Sequence, residues 1–429
     1  MSDWVQGTLS DTIAALDAGV SVNAEDRPHG AGEIGVLKTS AVSGGRFYPD
    51  QNKSVVPHER RLVAEQVKAD SILVSRMNTP ALVGESCYVE DAHSTLFLPD
   101  RLWQLKPKDR TKLNMRWLSF ILQSAEYRHY VEVHATGTSG SMKNLPKAKL
   151  LALPVTYPEP IEQARIAEVL DTLESIVRET EAIIAKLKLI KQGQLHDLLT
   201  RGIDENGELR PPRSSAPHLY KESPLGWIPR EWDVCCINEV GESITGNTPP
   251  SHDPLAWGAD GTPFITPGDI EDERPIADAD RHVTQRGLNY VRLLPPRSTL
   301  VVCIGSTIGK VGITALESCT NQQINAVIPK NGMDPEFLFL AMQMNVGQLR
   351  ALAGLQAVPI VNKSSFESIC IPRPPHTEQL AISSRMIAIS TRLHNETRVV
   401  GKLRQERTGL MDDLLTGQIR VLPLLAQKE

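Results

Sequence analysis

The chain contains one long helical segment twice, and this duplication constrains its fold more than any other feature. Residues 162–203 recur as residues 378–419, at a constant offset of 216 residues (378 − 162) and without a gap. Of the 42 aligned positions 11 are identical, including an Asp-Leu-Leu-Thr block near the end of each copy. Because each copy follows a globular segment, the duplication predicts a pseudo-twofold protein, which suits a pseudo-twofold target.

Apolar residues in both copies follow the alternating steps of four and three that are typical of a coiled-coil seam. A helix of this length spans about 60 Å and overhangs an ordinary domain, so we predict that the copies pack on each other and not only on their own domains. The predicted seam has six positions in each copy: Ile166, Leu170, Leu173, Val177, Ile184, Leu187, Ile382, Met386, Ile389, Leu393, Val400 and Leu403. Polar residues interrupt it at Thr180 and Glu396 and at Lys191 and Arg407, where we expect them to fix the register.

The two segments that precede the helices also resemble each other, more faintly. Short β-type runs broken by Gly and Pro alternate with helical patches at 117–130 and 336–353. The aligned runs are 35–39 with 262–266 and 70–74 with 298–302. This pattern predicts an α+β fold with an irregular β-sheet in each segment.

The domain plan is therefore globular, helix, globular, helix. Turn-forming residues between the halves, such as Asp204-Glu205-Asn206-Gly207, indicate a linker. The predicted boundaries are 1–158 and 223–375 for the globular domains, 159–203 and 376–420 for the helices, 204–222 for the linker and 421–429 for a C-terminal tail.

Composition predicts a cytoplasmic protein with no metal site. The 429 residues can form two cores, and no apolar run approaches the ~18 residues that a membrane span needs. The N-terminus has no signal-peptide pattern. The six cysteines form no CxxC or Cys/His zinc spacing, which favours buried free thiols.

The motifs of DNA-modifying enzymes are missing. The sequence 305–310, Gly-Ser-Thr-Ile-Gly-Lys, is one residue short of a phosphate-binding loop, and Val311 stands where that loop has Ser or Thr. Asn247-Thr-Pro-Pro-Ser251 lacks the aromatic residue of an adenine methyltransferase motif, and residues 99–106 are too compressed for a nuclease metal site. We therefore predict no catalytic residue in this chain.

Side chains that can form paired hydrogen bonds with base edges cluster in predicted loops. Asn and Gln suit adenine in the major groove, and Arg and Lys suit guanine. The candidate DNA-binding residues are Lys38, Arg46, Arg76, Asn78, Lys143, Asn144, Asn247, Lys310, Asn321, Gln322, Gln323, Asn362 and Lys363. The net charge of −5 argues against binding by bulk basicity, and a loop Asn or Lys taken singly is more often a solvated turn residue than a DNA contact.

Several motifs together resemble the DNA-specificity (S) subunit of type I restriction-modification enzymes over essentially the whole chain. They are Pro224-Leu-Gly-Trp-Ile-Pro-Arg-Glu-Trp232, Gly305 to Lys310, Asn321-Gln-Gln-Ile-Asn325, and the two Glu-Gln helices that end in Asp-Leu-Leu-Thr. The first half departs from the pattern at 75–79 and 85–87, so its base contacts cannot be carried over from the family.

The resemblance implies two target recognition domains that each read one half of a split, asymmetric DNA site. It implies antiparallel long helices that set the unread spacer, and a circular, pseudo-twofold arrangement. The implied partners are double-stranded DNA, two methyltransferase (M) subunits and restriction (R) subunits, with no membrane. S-adenosylmethionine, ATP and magnesium are expected in those partners, and no cofactor in this chain. The alternatives are an enzyme that modifies DNA alone and a scaffold that reads no DNA.

Overall fold

The computed structural model describes residues 4–137, 141–270, 275–354 and 358–421. The chain forms two compact units: unit 1 combines Met1–Glu179 with Val400–Glu429, and unit 2 is Thr180–Val399. Each long helix therefore contributes one part to each unit. The predicted tail, 421–429, lies outside the described residues except for Val421.

The globular part of unit 1 consists mainly of short strands, with one short helix near its start and three helices near its end. Its strands are β1 (Val5–Thr8), β2 (Ile13–Ala18), β3 (Ala24–Glu25), β4 (Gly35–Leu37), β5 (Val42–Ser43), β6 (Arg46–Phe47), β7 (Asn52–Val55), β8 (Gln66–Val67), β9 (Ser71–Ser75), β10 (Met77–Asn78), β11 (Ser86–Val89), β12 (His93–Phe97), β13 (Leu102–Pro107), β14 (Lys143–Asn144) and β15 (Pro154–Tyr157). The helices in this half of the chain are α1 (Leu9–Thr12), α2 (Met115–Ile121), α3 (Ala125–His134), α4 (Lys147–Leu151) and the long α5 (Pro160–Thr200).

The second half of the chain repeats this plan. Its strands are β16 (Tyr220–Ser223), β17 (Gly226–Pro229), β18 (Asp233–Cys236), β19 (Gly241–Thr245), β20 (Trp257–Gly258), β21 (Thr262–Ile265), β22 (His282–Val283), β23 (Thr299–Val302), β24 (Val311–Ile313), β25 (Cys319–Thr320), β26 (Ile324–Pro329) and β27 (Cys370–Arg373). Its helices are α6 (Ile237–Val240), α7 (Pro335–Met344), α8 (Val346–Ala353), α9 (Lys363–Glu367) and the long α10 (His376–Thr416).

The central sheets of the two units have the same topology. The strand order is β11-β9-β13-β2 in unit 1 and β24-β23-β26-β19 in unit 2, with antiparallel neighbours throughout. The middle strands β9 and β23 are buried along their whole length. A second sheet in each unit contains a parallel pair, β4 with β12 and β21 with β25. The predicted α+β fold with two domains is confirmed, and both faint sequence alignments fall on equivalent strands.

Each globular segment is closed by an antiparallel pair that joins a strand near its start to its last strand; in unit 2 the β16–β17 hairpin precedes this pair. In unit 1 these are β1 and β15, and in unit 2 they are β18 and β27. A long helix follows the last strand in each case. The chain thus leaves each segment beside the point where it entered.

The two long helices run antiparallel, because in each unit the start of one packs against the end of the other. Ile166 and Leu170 of α5 share the core of unit 1 with Leu414 of α10. Leu198 of α5 shares the core of unit 2 with Ile382 of α10. Eight of the twelve predicted seam positions are buried and the other four, Leu173, Ile184, Ile389 and Leu403, are half-buried.

The cysteines are free thiols, and four of them, Cys87, Cys235, Cys303 and Cys319, are buried. Burial raises the pKa of the Cys303 and Cys319 thiols to about 12. Cys236 and Cys370 face each other across β18 and β27 with their Sγ atoms 3.1 Å apart. None of the helices in the described ranges is long and apolar enough to span a membrane.

Candidate nucleic-acid interface

A buried glutamate anchors the start of each long helix. The Glu162 carboxylate accepts hydrogen bonds from Trp4 Nε1 at 3.0 Å and from Arg420 Nε and Nη2 at 2.7 Å. Burial alone would raise the pKa of the Glu162 carboxyl, but the bonds from Arg420 and Trp4 outweigh it and lower that pKa. In unit 2, Glu378 accepts from Trp232 Nε1 and from Arg210 Nη2, both at 3.1 Å.

The glutamine that follows each glutamate is anchored in the same way in both units. Gln163 Oε1 accepts from the backbone N–H of Asn114 at 2.8 Å, and Gln379 Oε1 accepts from that of Asp334 at 2.8 Å. Asn114 and Asp334 cap helices α2 and α7. The repeated Glu-Gln pairs therefore attach each helix to its globular segment, which explains their identity in the two copies.

Several loops of unit 2 meet at one edge of the central sheet. Because neighbouring strands are antiparallel, β19 and β23 end at the edge where β26 begins. The backbone N–H of Gly246 bonds to Ile324 O at 3.1 Å, and that of Gly305 bonds to Pro359 O at 3.0 Å. We call this edge, formed by residues 246–253, 303–310, 321–323 and 358–363, the unit 2 loop edge.

Five of the predicted residues of unit 2 lie in the loop edge, and each forms hydrogen bonds within the unit. The side chains of Asn321 and Gln323 bond to each other, with Asn321 Nδ2 2.9 Å from Gln323 Oε1. Asn247 donates to Tyr290 O, and its Oδ1 accepts from a backbone N–H. Lys310 donates to the carbonyls of Pro267 and Ile270 at 2.9 and 3.2 Å. The exposed Gln322 accepts from Thr248 Oγ1 at 2.8 Å.

The last two predicted residues of unit 2 lie at the start of α9. Asn362 caps this helix, since its Oδ1 accepts from the backbone N–H of Ser365 at 2.8 Å. Lys363 forms a 3.6 Å ion pair with Glu367, one turn further on. Both side chains are exposed, so their local roles leave them accessible from solvent.

Four predicted residues of unit 1 come together at the equivalent sheet edge. Arg76 and Asn78 follow β9, and β10 pairs with β14 so that Asn78 lies opposite Lys143. The Arg76 guanidinium lies 5.5 Å from the centre of the Trp103 ring. Within the described residues, Arg76 Nε and Asn144 Oδ1 are buried and lack a hydrogen-bond partner. These residues lie in two segments that are far apart in the sequence, 76–78 and 143–144, and only the structure shows that they form one cluster.

Lys38 and Arg46 are instead held by ion pairs with acidic residues. Lys38 Nζ lies 2.8 Å from Asp26. Arg46 Nη2 lies 3.1 Å from Glu174 of α5, which also pairs with Arg407 at 3.0 Å. Arg46 lines a cleft of about 970 Å³ beside α5.

Sequence reasoning missed a basic segment next to the unit 2 loop edge. Arg292 donates its backbone N–H to Asn247 Oδ1 at 3.2 Å and its Nη1 to Thr245 O at 2.7 Å. Arg286 pairs with Asp253 at 2.9 Å and remains largely exposed. More than forty residues of sequence separate Asn247 from Tyr290 and Arg292, so the sequence does not show that they lie together. The only local signal for a nucleic-acid contact is a pair of arginines on either side of a tyrosine, in Arg286-Gly-Leu-Asn-Tyr-Val-Arg292.

The family model described as "Type I restriction modification DNA specificity domain" matches residues 1–189 and 229–399. The chain belongs to this family. It is similar to the type I restriction enzyme HindI specificity subunit of Haemophilus influenzae, with 30% identity over 98% of this chain and all of the relative. The sequence prediction of a DNA-specificity subunit is confirmed.

Two solved structures share the fold. The type I restriction-modification S subunit of M. genitalium superposes with a TM-score of 0.63 at 15% identity, over 96% of both chains. A chain from a study of complex assembly and conformational transition of the type I R-M system gives a TM-score of 0.51 at 13% identity, over 96% of this chain and 97% of its own length. As a member of the specificity family, this chain is a DNA-recognition subunit.

Proposed function

We propose that each unit reads one half of a bipartite, asymmetric DNA site. One observation carries the proposal: the same four-stranded sheet occurs twice, and different polar side chains stand at the same edge. Unit 1 places Arg76 and Lys143 there, and unit 2 places the exposed Gln322 there. Since arginine and lysine suit guanine whereas asparagine and glutamine suit adenine, the two half-sites should differ in sequence.

In this proposal residues 1–158 and 223–375 are the target recognition domains, and the helices of 159–203 and 376–420 join them. The chain itself is non-catalytic and acts in the cytoplasm with two M subunits and with R subunits. S-adenosylmethionine, ATP and magnesium are bound by those partners. Family membership supports this, and so does the likeness to a chain studied for the complex assembly of a type I system.

Mixing experiments test the proposal directly. We expect the purified chain alone to transfer no methyl group to DNA and to hydrolyse no ATP. Together with the M subunit of its own system, it should direct adenine N6 methylation to one bipartite sequence, measured by sequencing methylated genomic DNA. Methyl transfer by the chain alone would establish the autonomous enzyme instead, and methylation without sequence preference would establish the scaffold.

An apolar stripe on α5 supports docking of the M subunits on the helices. Val169, Ile176, Ile183 and Ile190 are spaced by seven residues, and each side chain is 37–42% exposed. A seven-residue spacing places them on one helix face, separate from the seam. Exposed β-branched residues in such a row suit the apolar face of a partner helix. Two of the four lie in each unit, which fits one M subunit per unit.

Charge placed on the stripe should weaken M-subunit binding. For Ile183→Glu we expect a loss of about 2 kcal/mol of binding free energy, because the interface loses a buried aliphatic side chain. Titration of the chain with its M subunit, followed by calorimetry, measures the change. Leu189→Glu is the matched control, since Leu189 is 71% exposed on the same helix but lies off the stripe. Equal losses for the two variants would contradict docking on this face.

A further inference from the structure

We propose that Gln322 reads an adenine in the half-site bound by unit 2 and that Thr248 positions its side chain. The inference rests on the proposed function and makes it specific, because it assigns one base type to one residue.

The loop that carries Gln322 is fixed by the residues on either side of it. Asn321 Oδ1 accepts from the backbone N–H of Gln323 at 3.1 Å, and the two side-chain amides bond to each other. Gln323 Nε2 donates to Ile304 O at 3.4 Å. Both flanking amides therefore serve the loop itself, whereas the Gln322 side chain is exposed.

Gly305 allows this close packing. Its φ is +95°, which residues with a side chain rarely adopt. A Cβ atom at this position would lie 3.3 Å from Gln323 Nε2. The glycine of the 305–310 motif thus makes room for the amide that holds the loop, which is a structural role and not phosphate binding.

The free groups of Gln322 match the major-groove edge of adenine. Its Oε1 accepts from Thr248 Oγ1 at 2.8 Å and keeps a second lone pair, while Nε2 has no partner within the described ranges. Adenine offers the N6 amino group as a donor and N7 as an acceptor, and Gln can satisfy both at once. The bond from Thr248 holds the amide before DNA arrives, which reduces the entropy lost on binding.

Other candidates at the same edge are less suited to reading a base. The Nδ2 and Oδ1 atoms of Asn247 are both hydrogen-bonded within the unit, and the Lys310 ammonium donates to two carbonyls. The exposed Arg286 and Arg292 lie on the segment that bonds Asn247, and they suit phosphate contacts that position the loop on the duplex.

Methylation by the complete complex tests the assignment. The chain, as wild type or as Gln322→Glu, is combined with its M subunit and a library of random double-stranded DNA, and methylated molecules are sequenced. A carboxylate accepts from cytosine N4 but cannot donate to adenine N7. We expect Gln322→Glu to lose about tenfold to a hundredfold of the preference for adenine at one position of one half-site, and to favour cytosine there. The other half-site should be unchanged.

Three further variants distinguish base reading from other roles. Gln322→Ala should relax the same position without adding charge, and Thr248→Val should relax it less. Gln6→Glu makes the same chemical change at an exposed site on β1 of unit 1 and should alter neither half-site. Unchanged adenine preference in Gln322→Ala, or an even loss across all sequences, would overturn the assignment. If the wild-type complex methylates no bipartite sequence, the proposed function fails, and this assignment fails with it.

Discussion

Replacing Glu378 with alanine should lower the free energy of unfolding by about 3 to 5 kcal/mol, because it breaks a buried ion pair on one side only. The side chains of Arg210 and Glu378 are 9% and 8% exposed. Without the carboxylate, the buried Arg210 guanidinium keeps only its 3.2 Å ion pair with Glu231, whose side chain is largely exposed. Trp232 Nε1 and the backbone N–H of Ile203 also lose their acceptor. Chemical unfolding followed by fluorescence measures the loss.

The matched control is an exposed ion pair of the same unit. Asp233 and Arg373 lie 3.3 Å apart with side chains 64% and 43% exposed, and such pairs contribute at most about 1 kcal/mol. Asp233→Ala should therefore cost far less than Glu378→Ala. A similar cost for both would mean that the glutamate at the helix start is not an anchor.

The equivalent variant of unit 1, Glu162→Ala, should behave like Glu378→Ala, since Glu162 is fully buried against Arg420 and Trp4.

The duplicated helix could be predicted from the sequence because the apolar periodicity and the identities between the two copies both indicate it. The role of the identical Glu-Gln pairs could not be predicted. Glu162 acts with Trp4 and Arg420, which lie 158 and 258 residues away along the chain. Nothing in the sequence near Glu162 indicates those partners. The same holds for the division into units, since the sequence suggests that each helix follows one domain, whereas each helix contributes to both units.

The candidate interface was predicted at the level of loops but not of single side chains. Arg76 and Lys143 were both candidates, and a two-residue strand too short to recognise in the sequence brings their segments together. In unit 2, Asn321, Gln322 and Gln323 look alike as a sequence motif, yet the outer two bond to each other and the middle one faces solvent. Which amide is free depends on contacts with Thr248 and Ile304, and these two residues lie in the loops that follow β19 and β23.

The largest expected effect on specificity comes from lengthening both long helices together. Duplicating residues 173–179 in α5 and 393–399 in α10 adds one heptad to each helix at the points where the two units divide. A heptad keeps the apolar seam in phase and adds about 10 Å of helix. At 3.4 Å per base pair, we expect the unread spacer between the half-sites to grow by about three base pairs. Sequencing of methylated DNA should show both half-sites unchanged.

We expect the lengthened subunit to fold and to direct methylation only if the insertion keeps the apolar seams of the two helices in phase. Inserting four residues at the same two points adds length but rotates the seam by half a heptad, which should expose apolar residues and destabilise the protein. Lengthening α5 alone leaves α10 too short to match it and should be equally harmful. If the double-heptad variant folds, methylates DNA and keeps the original spacer, the helices join the units without setting the distance between half-sites. A spacer longer by two to four base pairs, about the value expected from the added rise, would assign that distance to the length of the helix pair.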